Sequence, residues 1–393
     1  MLNVPSRDTD SRGVRVQGLA IRRWLATTPG RMRLASVLLV AVVLTVGVTA
    51  TLTAHSRANA ARAVGLGAAP QLLASERLYG ALADADAAAS TAYLQAGKES
   101  PDLLRRYDDD LASAGRDLAE VGRGVGTTTE AGQAVADIAE QLPVYSGLIE
   151  SARANNRQGF AVGAAYLRQA STLMRSKILN DSTVVYAQAA GRLSDGYARG
   201  TSGADVGALV LASAGALLLF ALVQLFLARR VRRLLNVGLV VGLSLVVVAL
   251  GSTLLLVASE GSALASARRD GSDAVQTLST SRILTLRAYN DDNLALIARG
   301  NGAAYVTDFD ALVGTLGGAD GRDGLLAEAS QAAGRTGSTR DVSDLQSRFT
   351  VLDTAHVAVR GLDDGGQYQS AVEAAVTTEA SAAAAMDTAL PSQ

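Results

Sequence analysis

Leu72, Ser75, Tyr79, Leu82, Asp86, Ala89 and Tyr93 recur at intervals of three and four, so a helix through them carries an apolar stripe with a carboxylate in its middle. A carboxylate there costs several kcal/mol unless it is paired or hydrogen-bonded. The spacing therefore predicts a partner for Asp86, and Arg77 and Arg282 are nearby candidates. A second acid, Asp292, sits on the flank of a similar stripe through Val275, Leu286, Tyr289 and Leu296. Two roles suit such acids: setting helix register as structural or solvated groups, or meeting a ligand or signalling contact inside a helical bundle.

Other chemistry is sparse. The chain has no cysteine, which removes thiol catalysis, disulfides and zinc–thiolate sites. Its two histidines, His55 and His356, are far apart and stand in no metal-ligand pattern, so structural or surface roles are expected. There is no G-x-S-x-G elbow, no phosphate-binding Walker loop and no H-E-x-x-H. Neither an enzyme, a bound metal nor a cofactor is expected. A net charge of −1 over 393 residues gives no argument for nucleic acid.

The elements that must position these acids are helices and membrane spans. Hydrophobic residues make up 49% of the chain and aromatics 4%, so its apolar content is mainly Ala, Val and Leu. The excess of arginine over lysine, with abundant alanine, is that of a GC-rich coding sequence. Three runs lack charge, 34–54, 206–228 and 234–259, and each is long enough to cross the ~30 Å hydrocarbon layer as a helix. The run 34–54 follows a long basic region and exceeds a signal peptide's apolar segment, despite the cleavage-like Ala58-Asn59-Ala60. Seven arginines precede it, with Trp24 as a candidate interfacial anchor, and Arg229, Arg230, Arg232 and Arg233 separate the other two runs. The excess of positive charge places residues 1–33 and 229–233 in the cytoplasm, and residues 55–205 and 260–393 outside it. The four loop arginines suit anionic lipid, with docking of a cytoplasmic protein as the alternative. Gly238 and Gly242 form a G-x-x-x-G, and Ala212 and Ala216 offer a similar small face, so a tight hairpin of spans is expected. The same motif is a weaker argument for a homo-oligomer.

The outer segments align with each other without a gap from Ala61 and Ala267, matching Gly65 with Gly271, Leu72 with Leu278, Ser75 with Ser281 and Asp86 with Asp292. "AAYLRQAS" (Ala164–Ser171) further lies against "AAVTTEAS" (Ala374–Ser381). A duplication is the expectation, looked for early because repeats govern fold. Helical periods and breakers in the first copy predict four helices: about His55 to Gly97, from Pro101 to before "GRGVGTTTE", about Glu130 to Ala154 with a break near Pro143, and from near Asn156 into the second span. The expected fold is all-α, with three transmembrane helices and two extracytoplasmic up-down helical bundles in tandem. Repeat order would place a fourth span after the second bundle, and the sequence stops at Gln393 without one.

The outer bundles resemble the four-helix ligand-sensing domains of bacterial chemoreceptors, although only "RRVRR" and its neighbours stand where an output domain would follow. In layout, and in "RLYGALADADAAASTAYLQAG" (Arg77–Gly97), the chain is similar to an actinobacterial family of polytopic membrane sensors. That family couples an amino-acid-binding lipoprotein outside to the soluble serine/threonine kinase G inside. The resemblance implies signal relay with output borrowed from a partner kinase. It departs in lacking the fourth span. A non-signalling envelope scaffold and a transporter accessory subunit are the alternatives.

Overall fold

The computed structural model describes residues 28–95, 100–200, 203–231, 273–318, 323–336 and 345–390, with short helical stretches between 241 and 259. Every regular element described is helical. The basic region up to residue 27, Arg232, Arg233, Gly238 and most of the third apolar run lie outside the described residues. The chain divides into two compact units, residues 1–60 with 199–263 and residues 61–198 with 264–393.

In the first unit, α1 (Thr28–Ala63) is apolar around its circumference. Val37, Val40, Leu44, Val48 and Leu52 all stand exposed, as suits a helix solvated by lipid. Its threonines do not leave hydroxyls bare: Thr45, Thr49, Thr51 and Thr53 each donate to the carbonyl four residues back, at 2.8–3.0 Å. The second apolar helix, α7, spans Gly203–Val231 and so takes in Arg229 and Arg230, which the sequence assigns to a loop. Leu209, Ser213, Ala216, Phe220 and Val223 form its buried stripe, whereas Leu211, Leu218 and Leu222 are exposed. Gly242 lies against that stripe: a Cβ on it would sit 3.6 Å from the Phe220 ring. The small residue thus admits close approach. Two helices, one starting at Arg33 and the other covering Gly207–Phe226, are long and apolar enough to cross a membrane.

In the second unit, α2 (Ala69–Leu94) continues from α1 through a π-helical turn at Val64–Ala68. Ser100 caps α3 (Pro101–Gly124), accepting from the Asp102 amide, with Pro101 at the first turn and Arg123 in the last. Thr129 caps α4 (Glu130–Arg157) in the same way, by accepting from the Gly132 amide. Pro143 lies inside α4 without ending it, so the expected break is absent. The fourth helix begins later than its sequence pattern indicated, because Gly159 at φ 74° ends α4 and turns the chain. It comprises α5 (Val162–Leu173), a π-helical turn at Met174–Ile178, and α6 (Leu179–Gly200).

After the membrane region come α8 (Asp273–Ile297), α9 (Ala303–Gly317), α10 (Leu325–Thr336), α11 (Leu345–Asp364), α12 (Tyr368–Ala374), a π-helical turn at Ala375–Glu379, and α13 (Ala380–Ala389). The two segments, 61–198 and 264–393, do not form separate bundles: they close into one compact unit around shared core residues. Leu78, Leu82, Tyr145, Ile149 and Met174 of the first share a cluster with Leu294, Leu296, Val359 and Ala371 of the second. The reason lies in α2 and α8. Residues 82–92 and 288–298 are buried on every side, which no helix on the outside of a bundle achieves. Alanine dominates the first stretch, so neighbouring helices approach it closely from all directions. The two stretches start 206 residues apart (288 − 82), the interval separating Asp86 from Asp292 (292 − 86).

Candidate functional site

The polar residues on these two central helices make a buried seam. Contacts between them rise together in residue number, from Asp84 with Arg282 to Thr91 with Asn293, so α2 and α8 run parallel. Asp86, 1% exposed, lies in the seam's centre. One of its oxygens accepts from Tyr145 Oη and Ser171 Oγ, both at 3.0 Å, and the other from Asn290 Nδ2 at 2.6 Å. The carboxylate therefore ties α2 to α4, α5 and α8 at once. Burial pushes its pKa up, while those three donors and the more distant Arg175 oppose the shift.

Farther along, Thr91 Oγ1 lies 3.1 Å from Tyr289 Oη and accepts from Asn293 Nδ2 at 3.1 Å. On the other side of Asp86 is an ion cluster. Arg282 donates to Asp84 at 2.8 Å and to Asp387 at 2.5 Å, while Arg106 reaches Asp84 at 3.3 Å. Gly80 makes room for it, since a Cβ there would meet the Arg282 guanidinium at 3.0 Å. Arg282 is thus an ion-pair hub, and its partners are Asp84 and Asp387 in place of the expected Asp86. Arg77 is likewise turned away from Asp86, toward Asp117 at 3.2 Å and Glu120 at 3.3 Å on α3.

Asp292 is fully buried, not on a flank, because α8 is enclosed by helices on the side its stripe leaves open. It faces His356 Nδ1 at 3.0 Å and Arg360 Nε at 2.8 Å, and His356 stacks on Phe309 with ring centres 3.6 Å apart. Glu379, in the last π-helical turn, completes the group; burial, reinforced by Asp292, holds its carboxyl well above the usual range. Asp292, His356 and Glu379 place three donor atoms within 4.8 Å of one another, close enough to share a divalent cation. The Arg360 guanidinium also brings positive charge to Asp292, 2.8 Å away. Next to it, Asp291 pairs with Arg175, which also reaches Asp308 at 3.3 Å and lies over the Tyr305 ring.

The sequence reading singled out Asp86, Asp292, Arg77 and Arg282, and missed Asp84, Tyr145, Ser171, Asn290, Asn293 and the His356–Glu379 pairing. One signal was available. "NDDN" at 290–293 puts four polar residues in succession, more than a solvent face alone accommodates on a helix of 3.6 residues per turn.

Such a seam suits positioning and coupling. Asp86 has both oxygens engaged by neighbours, and no nucleophile with an adjacent base stands open to a substrate among the residues just described.

No curated protein and no solved structure matches the chain. Residues 60–198, the segment from the end of α1 to the end of α6 that carries Asp84, Asp86, Tyr145 and Ser171, match the family described as actinobacterial sensor domain, which marks this segment as sensor-like.

Proposed function

We propose that the protein is a membrane signal relay, whose extracytoplasmic unit detects a ligand or a solute-binding lipoprotein and whose spans pass its state to a cytoplasmic partner such as a serine/threonine kinase. One observation carries this reading: the helical run from Thr28 through the π-helical turn to Leu94 is uninterrupted, with an apolar membrane-length segment in its first part and the polar seam in its second. A displacement or rotation of α2 at the seam is therefore transmitted along one helix instead of being absorbed in a loop. The positive-inside pattern gives that transmission a direction, with residues 1–33 and 229–233 inside and a third span over 234–259. The shared 206-residue interval supports an origin by duplication, the two copies having become halves of one unit. The chain itself carries no output chemistry on this reading, so the output belongs to its partner.

The test is photocrosslinking in living cells from probes placed at Arg229 to Arg233, followed by mass spectrometry. Recovery of a cytoplasmic kinase is the expected result. Recovery of envelope proteins alone would overturn relay in favour of a scaffold or transporter subunit.

A further inference from the structure

The seam opens, at the end where α2 and α8 finish, into a cavity of about 650 Å³. Both segments contribute: Tyr93 lies in the last turn of α2, Arg299 just past the end of α8, Arg168 in α5 and Tyr368 at the start of α12, with Asn156, Asn301 and Gln369 among the polar lining. The volume lies within the ~300–1,000 Å³ typical of small-molecule sites. Among the described residues no aspartate or glutamate lines it, although acids and bases are nearly equal in number over the chain.

Its two arginines differ from those of the ion pairs described above. Arg77, Arg106, Arg175, Arg282 and Arg360 all pair with carboxylates. Neither Arg168 nor Arg299 has a carboxylate partner among the described residues; the Arg299 guanidinium lies over the Tyr368 ring, 4.5 Å from its centre. The backbone at Arg299 also takes φ 45°, a left-handed conformation costly for any side chain other than glycine, asparagine or aspartate. Glycine would end α8 there without strain, so the position favours retaining a guanidinium over local stability. The Tyr93 hydroxyl is within electrostatic reach of both cations, which oppose the upward shift burial imposes on it.

We infer that this cavity binds a small organic anion through its oxyanion groups, with Arg168 and Arg299 as the charged contacts and Tyr93 and Tyr368 as the walls. A guanidinium presents a planar fork that pairs two oxygens of a carboxylate or phosphoryl group at once, and it keeps its charge at any physiological pH. Two of them in a site free of acids select anions and repel cations. The aromatic rings and the aliphatic side chains of Leu94, Ile297 and Val372 then cover the ligand's carbon skeleton. Because the walls come from both segments, an anion bridging them biases the packing of α2 against α8. This names a ligand site for the sensor reading and rests on that reading only for its consequence, since binding itself is measurable without a signalling partner.

The experiment is isothermal titration of the full chain in lipid nanodiscs with succinate, and in parallel with inorganic phosphate. Saturable binding of either is expected, weakened at least about tenfold by R168A and by R299A. Stronger succinate binding identifies a carboxylate ligand, and stronger phosphate binding a phosphoryl one. R299G supplies the second variant: it relieves the left-handed strain, so its unfolding temperature should hold or rise while binding falls as in R299A. Absence of binding by both anions, or binding that survives both alanine variants, would overturn the proposal. Relay triggered by a protein partner would still stand in that case, so the two failures are distinguishable.

Discussion

Asp86 shows what a buried acid does when every oxygen is engaged. Tyr145, Ser171 and Asn290 all donate to it, so removing the carboxylate strands three buried donors together. Asp86→Ala should therefore lower the stability of the outer unit by about 2–4 kcal/mol, read from chemical denaturation in nanodiscs. Arg77→Ala removes a half-exposed guanidinium from the buried Asp117 and the exposed Glu120, and should cost less than Asp86→Ala, about 1 kcal/mol, in the same measurement. Gly80 is needed because Arg282 crosses α2 at that point, and Gly80→Val should force the guanidinium from Asp84 and Asp387 at a cost of about 1–3 kcal/mol. Asp86's need for a partner was legible from its place on the stripe. Which residues meet it was not, since two lie on α4 and α5 and the third lies 204 residues away on α8.

Helices set the next scale. The apolar runs were readable because hydropathy is a local property, and α1 and α7 fall on two of them. The hairpin expected from Gly242 has a contact to support it in Phe220, so F220C with G242C should crosslink under mild oxidation in membranes, whereas L218C with G242C should not, because Leu218 is exposed on another face. Helix starts followed local chemistry where a cap existed, as at Ser100 and Thr129. Pro143 misled as a breaker: α4 runs on through it, and the burial of Tyr145 and Ile149 downstream, together with Ala134 and Ile138 upstream, gives the continuous helix packing on both sides.

At the scale of the whole unit formed by residues 61–198 and 264–393, the shared core makes the two segments interdependent. Residues 61–198 expressed alone would expose the α2 face that carries Asp84 and Thr91 and meets α8. Light scattering should find that fragment aggregated or self-associated, with a 1:1 complex recovered on coexpression with residues 264–393. Acid should stabilise the same unit. Burial outweighs neighbouring arginines at Glu76, Asp110 and Asp291 and pushes each to about 7. A carboxyl whose folded pKa is raised binds more protons folded than unfolded, so its ionisation works against folding. Their contribution to stability should be greatest below about pH 4, fall as pH rises from there through about 7 and level off above it, as thermal unfolding across that range would show. A flat or rising profile would contradict the burial of these acids.

Local pattern alone was enough to establish the helical class and the membrane-length runs, and to place Asp86 on an apolar stripe; it also suggested the 206-residue echo between segments. Each depends on periodicity or hydropathy within a few turns, or on comparing the chain with itself. Tertiary structure decided that the segments merge into one unit, that Asp292 is enclosed with His356 and Glu379, and that Arg168 and Arg299 share a cavity. Those outcomes depend on which helix packs beside which, and on the axial offset between them. A period of 3.6 residues shows which face of a helix is apolar, but it carries no information about the neighbour that covers it.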